Sequence, residues 1–136
     1  MGPRGSIGAV AYVDASALVK LLIPEPESVA LEEALENESS VTSSAVLAVE
    51  LFCTAYRRGL PASGVERVLA RVPAVPLRDP ILQAAQQRWS RPLRALDAIH
   101  LASARALRED LRVLYTYDGE MQAAAKAAGL AVAAPR

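Results

Sequence analysis

The pattern of apolar and polar positions divides the chain into short apolar runs, typical of strands, separated by segments with helical spacing. The predicted strands are residues 9–13, 40–42, 74–77, 112–117 and 130–133. The predicted helices are residues 17–22, 26–36, 44–58, 63–71, 79–89, 93–109 and 119–128. Because strands and helices alternate, the pattern predicts a parallel sheet covered by helices on both faces.

Three helix starts carry residues that commonly cap helices. A side-chain oxygen at such a position accepts a hydrogen bond from an unpaired N–H of the first turn. The candidates are Ser43 or Ser44 for the third helix, Ser63 with Glu66 as a capping box for the fourth, and Asp79 before Pro80 for the fifth.

The length of 136 residues is that of one domain, and we expect it to span residues 9–134. Residues 1–8 are expected to be a flexible extension or a cloning remnant. No run of 18 or more apolar residues and no signal-peptide core occurs, so a cytoplasmic protein without membrane contact is expected. The lone Cys53 cannot form an internal disulfide, and its apolar neighbours predict a buried, inert thiol.

The net charge is zero, but the charges are distributed unevenly along the chain. Residues 1–56 contain eight acidic and two basic residues, whereas residues 57–94 contain eight arginines against two acidic residues. The arginine-rich part is either a phosphate-facing surface or an ordinary solvated helix surface. Candidates for contacts with RNA or a protein partner are Arg57, Arg58 and Arg91.

Four carboxylates lie in apolar surroundings, where an ionised group is costly unless a cation neutralises it. Asp97 lies within the apolar segment 93–104, and Glu50 lies within residues 45–52. Asp14 and Asp118 each follow a predicted strand. Four embedded carboxylates, far apart in sequence, form the oxygen-rich ligand set that Mg²⁺ or Mn²⁺ requires.

Open parallel sheets bind ligands beyond the carboxyl ends of their strands, where the strand order reverses. Asp14 and Asp118 would meet there if their strands are neighbours, and Glu50 and Asp97 would join them from flanking helices. A divalent ion held by these groups polarises a phosphodiester and activates a water for attack. The pattern therefore favours a metal-dependent nuclease.

Three further side chains near these carboxylates have candidate accessory roles. The Ser16 hydroxyl either holds a metal-bound water or phosphate oxygen or simply caps the first helix. Thr116 lies on the same strand face as Asp118 and is a second accessory candidate, through a hydrogen bond. His100 follows Asp97 by three residues, and we expect it to be structural or orienting. Because the chain has one histidine, a histidine-based metal site is excluded.

Four segments resemble, in order, the motifs of the PIN-domain family, closest to VapC-type toxins of bacterial toxin–antitoxin pairs. They are residues 14–20, 49–51, 96–102 and 115–118. The resemblance implies a three-layer α/β/α fold with a mainly parallel sheet of about five strands, related to flavodoxin and Rossmann folds. It also implies a Mg²⁺- or Mn²⁺-dependent endoribonuclease, a homodimer and a cognate antitoxin protein. The catalytic and metal-binding positions of the family match Asp14, Glu50, Asp97 and Asp118.

Two alternatives within the family stay open: an RNA-processing nuclease without an antitoxin, and a catalytically inert interaction module. Two other classes with an acidic pocket fit less well. A phosphate-accepting receiver domain needs a lysine near the end of its fifth strand, and here Lys126 lies within a predicted helix. A dehalogenase-like phosphatase needs a second aspartate where this chain has Ser16.

Overall fold

The computed structural model describes residues 8–136, and its centre is a parallel sheet. The strands are β1 (Val10–Val13), β2 (Ser40–Ser44), β3 (Ala74–Val75), β4 (Leu111–Tyr115) and β5 (Val132–Ala133). Their order across the sheet is β3-β2-β1-β4-β5, and every neighbouring pair is parallel. The predicted five-stranded parallel sheet is confirmed. The prediction for residues 1–8 lies outside the described residues, apart from Gly8.

Within residues 8–136, seven helices connect the strands. They are α1 (Ala15–Leu22), α2 (Ser28–Glu36), α3 (Val46–Arg57), α4 (Ala62–Ala70), α5 (Asp79–Ala85), α6 (Ala95–Arg105) and α7 (Gly119–Ala127), with a short 3₁₀ turn at Arg108–Asp110. In the part of the chain that the structure describes, no helix is long and apolar enough to cross a membrane.

The central strand β1 separates two cores because successive side chains of a strand point to opposite faces. Ala11 and Val13 pack with buried residues of α1, α2, α3 and α4 on one face. Tyr12 packs on the other face with buried residues of β4, α6 and α7, among them Leu101 and Met121. The sheet is therefore buried on both faces, as a parallel sheet requires.

The three predicted helix caps are wrong in position. Strand β2 continues to Ser44, and the helix after it begins at Val46, although the Ser44 Oγ accepts a hydrogen bond from the Val46 N–H at 3.2 Å. Helix α4 begins at Ala62 after an extended Pro61, so Ser63 and Glu66 lie inside the helix. Asp79 is the first residue of α5, where the helix dipole favours a negative charge.

Two helices end four residues earlier than predicted. Helix α5 ends at Ala85, whose carbonyl accepts a hydrogen bond from the Trp89 indole N–H at 3.2 Å. Helix α6 ends at Arg105, where a 3₁₀ turn replaces its last predicted turn.

The prediction of a buried Cys53 is also wrong, because this thiol is exposed. In α3 the positions four residues apart, Leu47, Leu51 and Ala55, face the core. Cys53 lies about 200° around the helix from Leu51, on the opposite side.

Candidate active site

The strands that precede Asp14 and Asp118 are neighbours, which is the condition under which these two residues were predicted to meet. Strands β1 and β4 are neighbours, with Val13 opposite Tyr115. The chain leaves β1 toward β2 on one side and returns to β4 on the other, so the strand order reverses between β1 and β4. Asp14 and Asp118 follow these strands at the reversal point, where ligands bind in open parallel sheets.

Asp14 is nearly fully buried, with 2% of its surface exposed, and it caps helix α1. Its Oδ1 accepts hydrogen bonds from the Ala17 N–H at 3.0 Å and from the Ser16 hydroxyl at 2.7 Å. Burial raises the pKa of Asp14, and the hydroxyls of Thr116 and Ser16 oppose that rise. The side chain is thus fixed by the fold, at an electrostatic cost.

The hydroxyls of Ser16 and Thr116 join the two strand ends. Ser16 Oγ lies 3.3 Å from Thr116 Oγ1 and accepts the Tyr117 N–H at 2.9 Å. The buried Thr116 Oγ1 in turn accepts the Asp118 N–H at 3.2 Å. The predicted hydrogen-bonding role of Thr116 near the carboxylates is therefore present.

Asp118, like Asp14, is held in place by capping a helix. It precedes α7, and its Oδ1 accepts the Met121 N–H at 2.8 Å. Two of the four carboxylates are therefore helix caps, and the positive ends of both helix dipoles face the site.

Glu50 is held by a chain of hydrogen bonds that sequence analysis did not find. Its Oε1 lies 2.6 Å from Nε2 of the buried His100, whose Nδ1 lies 2.7 Å from the Tyr12 hydroxyl. Because a carboxylate only accepts, Nε2 is the donor, and in the neutral ring Nδ1 accepts the tyrosine proton. Burial raises the pKa of Tyr12, which keeps that proton in place.

His100 was expected to be structural or orienting, and its hydrogen bond orients Glu50, which is 50 positions away in the sequence. The only sequence signal for Tyr12 is an aromatic hydroxyl within a short buried strand. Such a hydroxyl needs a hydrogen-bond partner, but the sequence does not say which.

Asp97 lies in the first turn of α6, half-buried, rather than in the middle of a longer helix. Burial is the largest cause that raises the pKa of Asp97, and the negative charges of Asp118, Asp14 and Glu50 raise it further. The four predicted carboxylates therefore share one region of the molecule. Their mutual repulsion is the electrostatic signature of a site that attracts cations.

The carboxylates fit a hard divalent ion by their chemistry, because all of their ligand atoms are oxygens. In Asp14, Asp118 and Glu50 one oxygen accepts the described hydrogen bonds, and the second oxygen of each has no such contact within residues 8–136. In the same residues, no three acidic, histidine or cysteine side chains are grouped closely enough to hold an ion as they stand. Binding of an ion by three of these side chains would therefore require them to move closer together.

The three candidate arginines occupy different places. Arg57 ends α3 and Arg58 follows it, at the end of the helix that is remote from the carboxyl edge of the sheet, and both side chains are exposed. Arg91 lies in the segment before α6, and its Nη2 is 3.6 Å from the Glu120 carboxylate of α7. Of the three, Arg91 is thus tied to an element that begins at the carboxylates.

An acidic centre at the reversal point of a five-stranded parallel sheet defines the class of this protein. Residues 11–127 match the PIN domain family model. Ribonuclease VapC46 of Mycobacterium tuberculosis (strain ATCC 25618 / H37Rv) is 41% identical over 128 residues, covering 93% of this chain and 98% of that protein. The chain therefore belongs to the PIN domain family and to its VapC branch.

Two further comparisons agree with this assignment. Ribonuclease VapC47 of Mycobacterium tuberculosis (strain CDC 1551 / Oshkosh) is 35% identical over 131 residues, covering 91% of this chain and 96% of that protein. The fold matches the crystal structure of Mycobacterium tuberculosis VapC20, described as a sarcin-ricin loop cleaving toxin, with a TM-score of 0.72. That match covers 92% of this chain and 99% of VapC20 at 18% identity, so it supports the fold alone.

Proposed function

We propose that this protein is the toxin of a type II toxin–antitoxin pair and acts as a divalent-metal-dependent endoribonuclease. The observation that carries the proposal is the convergence of Asp14, Glu50, Asp97 and Asp118 at the reversal point of a PIN-domain sheet. The names of the curated relatives, ribonucleases VapC46 and VapC47, support RNA as the substrate. The cytoplasm, which contains the RNA, is the expected place of action.

Mg²⁺ or Mn²⁺ would be held by Asp14, Asp97 and Asp118, with Glu50 as the fourth carboxylate. Such an ion supplies positive charge that polarises the scissile phosphodiester and favours attack by water. The chain's own residues prepare the site. Ser16 and the Ala17 N–H fix Asp14, and His100 fixes Glu50.

The accessory roles of Ser16 and Thr116 are proposed here as positioning roles. Both hydroxyls are already engaged between the strand ends, and Thr116 is fully buried. They therefore hold the carboxylates in place rather than bind a water or a phosphate oxygen themselves.

The test is incubation of purified protein with cellular RNA, followed by mapping of new 5′ ends, with Mn²⁺, with Mg²⁺ and with excess EDTA. We expect discrete cleavage sites with either ion and none in EDTA. Cleavage that continues at full rate in EDTA would exclude the metal-dependent mechanism.

A homodimer is also proposed, on the basis of an exposed apolar stripe along α3. Val49, Cys53 and Tyr56 are spaced three and four residues apart on one side of this helix, and Val49 and Tyr56 are each 66% exposed. Light scattering should give twice the chain mass for the parent, and Tyr56→Lys should shift it toward the monomer. A parent that is monomeric at all concentrations would refute the dimer.

The antitoxin is tested separately by co-expression with the small open reading frame beside the gene. The product is expected to relieve growth arrest and to co-purify with this protein. If arrest persists while the product is soluble, the RNA-processing nuclease without an antitoxin replaces the toxin assignment. A protein that cuts no RNA at all would favour the inert interaction module.

A further inference from the structure

A groove opens beside the carboxylates, between α6 and the segment that joins α5 to α6. It has a volume of about 710 Å³ and its lining includes Arg88, Trp89, Arg91, Leu93, Ala95 and Ala98. This volume lies within the range of about 300–1,000 Å³ that is typical of small-molecule sites. The groove is open to solvent and lined by both charged and apolar groups.

The groove lies next to the site because both use the first turn of α6. Ala95 and Ala98 form part of its wall, and Asp97 lies between them in the sequence. Asp97 is about 100° around the helix from Ala98 and about 200° from Ala95, so its side chain lies outside the groove, on another side of the same helical turn. On the far side, Arg91 contacts Glu120, two residues after Asp118.

The charges of the groove favour an anion. Arg88 and Arg91 are both exposed. Within the described chain, Arg88 has no ion-pair partner, and the pair between Arg91 and Glu120 is long, with both side chains about half exposed. Such an exposed pair contributes little, so the Arg91 guanidinium is available to a phosphate.

The apolar part of the groove favours a base. Trp89 is half-buried and held in one place: its indole N–H donates to Ala85, and the Arg105 guanidinium lies 5.9 Å from the ring centre. The same groove is lined by this fixed indole ring and by Arg88 and Arg91, the kinds of group that bind single-stranded nucleic acid without base pairing.

We infer that this groove binds an unpaired nucleotide of the RNA next to the scissile phosphate. Arg88 and Arg91 contact the backbone phosphates, and Trp89 forms the apolar surface against which the base lies. The inference rests on the proposed ribonuclease function and adds the position and chemistry of one substrate subsite.

The test measures binding of a fluorescein-labelled single-stranded RNA by anisotropy, across a salt series, in the Asp97→Asn background. Each lost phosphate contact on a single strand lowers the salt slope by about 0.7, so Arg88→Ala with Arg91→Ala should lower it by about 1.4. The matched control is Arg67→Ala with Lys126→Ala, two exposed cations in the last turns of α4 and α7, remote from the carboxyl edge of the sheet, which should leave the slope unchanged.

Trp89 is tested by two substitutions with the same readout. Trp89→Leu should weaken RNA binding roughly tenfold through loss of stacking, and Trp89→Phe should restore most of it. In the cleaving enzyme, the double arginine variant should raise KM and leave kcat nearly unchanged, because the contact is the same in ground and transition states.

The possible results distinguish a wrong groove assignment from a wrong proposed function. If the parent cuts RNA and the Arg88/Arg91 variant keeps the parental slope, the groove assignment is wrong. The same follows if that variant loses affinity for the antitoxin while RNA binding is unchanged, since the groove is then a protein interface. A parent that neither binds nor cuts RNA overturns the proposed function, and the groove assignment with it.

Discussion

Asp14 and Asp97 belong to the same cluster, yet the fold holds them in opposite ways. Asp14 is buried, caps α1 and accepts two hydrogen bonds through one oxygen. Asp97 is half-buried, and its carboxylate accepts no hydrogen bond within the described residues, while three other carboxylates raise its pKa. Asp14 therefore stabilises the fold as well as contributing to the carboxylate cluster, whereas Asp97 contributes to the cluster at the expense of stability.

The largest expected effect is at Asp97. Asp97→Asn should lower RNA cleavage by more than about 100-fold, because even partners of metal ligands give losses of about 10–100-fold. In metal-free buffer the variant should be as stable as the parent or more so, since one of four repelling charges is removed. The checks are cleavage rates with Mn²⁺ and thermal melts without it. A variant that cuts RNA like the parent would remove Asp97 from the site.

The second prediction concerns the ion and is independent of activity. A ligand that binds only the folded state at 100 times its Kd stabilises it by about 2.7 kcal/mol. Saturating Mn²⁺ should therefore raise the melting temperature of the parent by several degrees. The rise should be much smaller for Asp97→Asn. Equal rises for both proteins would mean that Mn²⁺ binds elsewhere.

The third prediction separates the capping role of Asp14 from its charge. Asn caps a helix about as well as Asp, whereas Ala does not, so Asp14→Ala should be about 1 kcal/mol less stable than Asp14→Asn. Both variants should be inactive. At position 97, in contrast, the Ala variant should not be less stable than the Asn variant, because Ala is the better helix former. Urea melts of the four variants test the contrast, and equal gaps at both positions would contradict it.

The smallest effect is expected at Glu38, a carboxylate whose role is only structural. It accepts hydrogen bonds from Arg112 and from the Tyr115 hydroxyl, and Arg112 is the largest cause that lowers the pKa of Glu38. A carboxylate with a lowered pKa stabilises the fold above its unfolded value of about 4.3, and this stability is lost as the pH falls through the folded pKa.

Glu38→Gln should therefore lower the free energy of unfolding by about 1 kcal/mol at pH 7. At a pH below both the folded and the unfolded pKa of Glu38, the substitution should have almost no effect. Cleavage at pH 7 should stay parental, because Glu38 is outside the cluster. Denaturant melts at several pH values test this prediction. A stability gap that does not shrink with acid would show that the pair contributes by packing rather than by charge.

The cluster could be predicted from sequence because its members have local signals. Asp14 and Asp118 follow apolar runs that alternate with helices, and this alternation fixes the parallel topology. Asp97 and Glu50 are conspicuous as charges among apolar neighbours. These signals depend on a few adjacent residues only. The cluster can therefore be predicted even where the predicted ends of the helices are wrong.

Other features depend on contacts that the sequence does not encode locally. The bond between Glu50 and His100 joins residues on different helices, and the groove depends on where Trp89 folds back. The capping box at Ser63 matched its pattern, but the helix already begins at Ala62, after the extended Pro61. Cys53 could have been placed correctly, because Leu47, Leu51 and Ala55 define the buried side of α3 by spacing alone.

The dual role of Asp14 has a consequence for genetic selection. If expression of this protein arrests growth, colonies that survive will carry two kinds of inactivating change. Substitutions at Asp14 that also remove the cap, such as Asp14→Ala, lower stability by about 1 kcal/mol, so survivors of this kind contain less folded protein. Substitutions at Asp97 yield abundant folded protein without cleavage. Asp97→Asn is therefore the form of choice for trapping RNA or a protein partner.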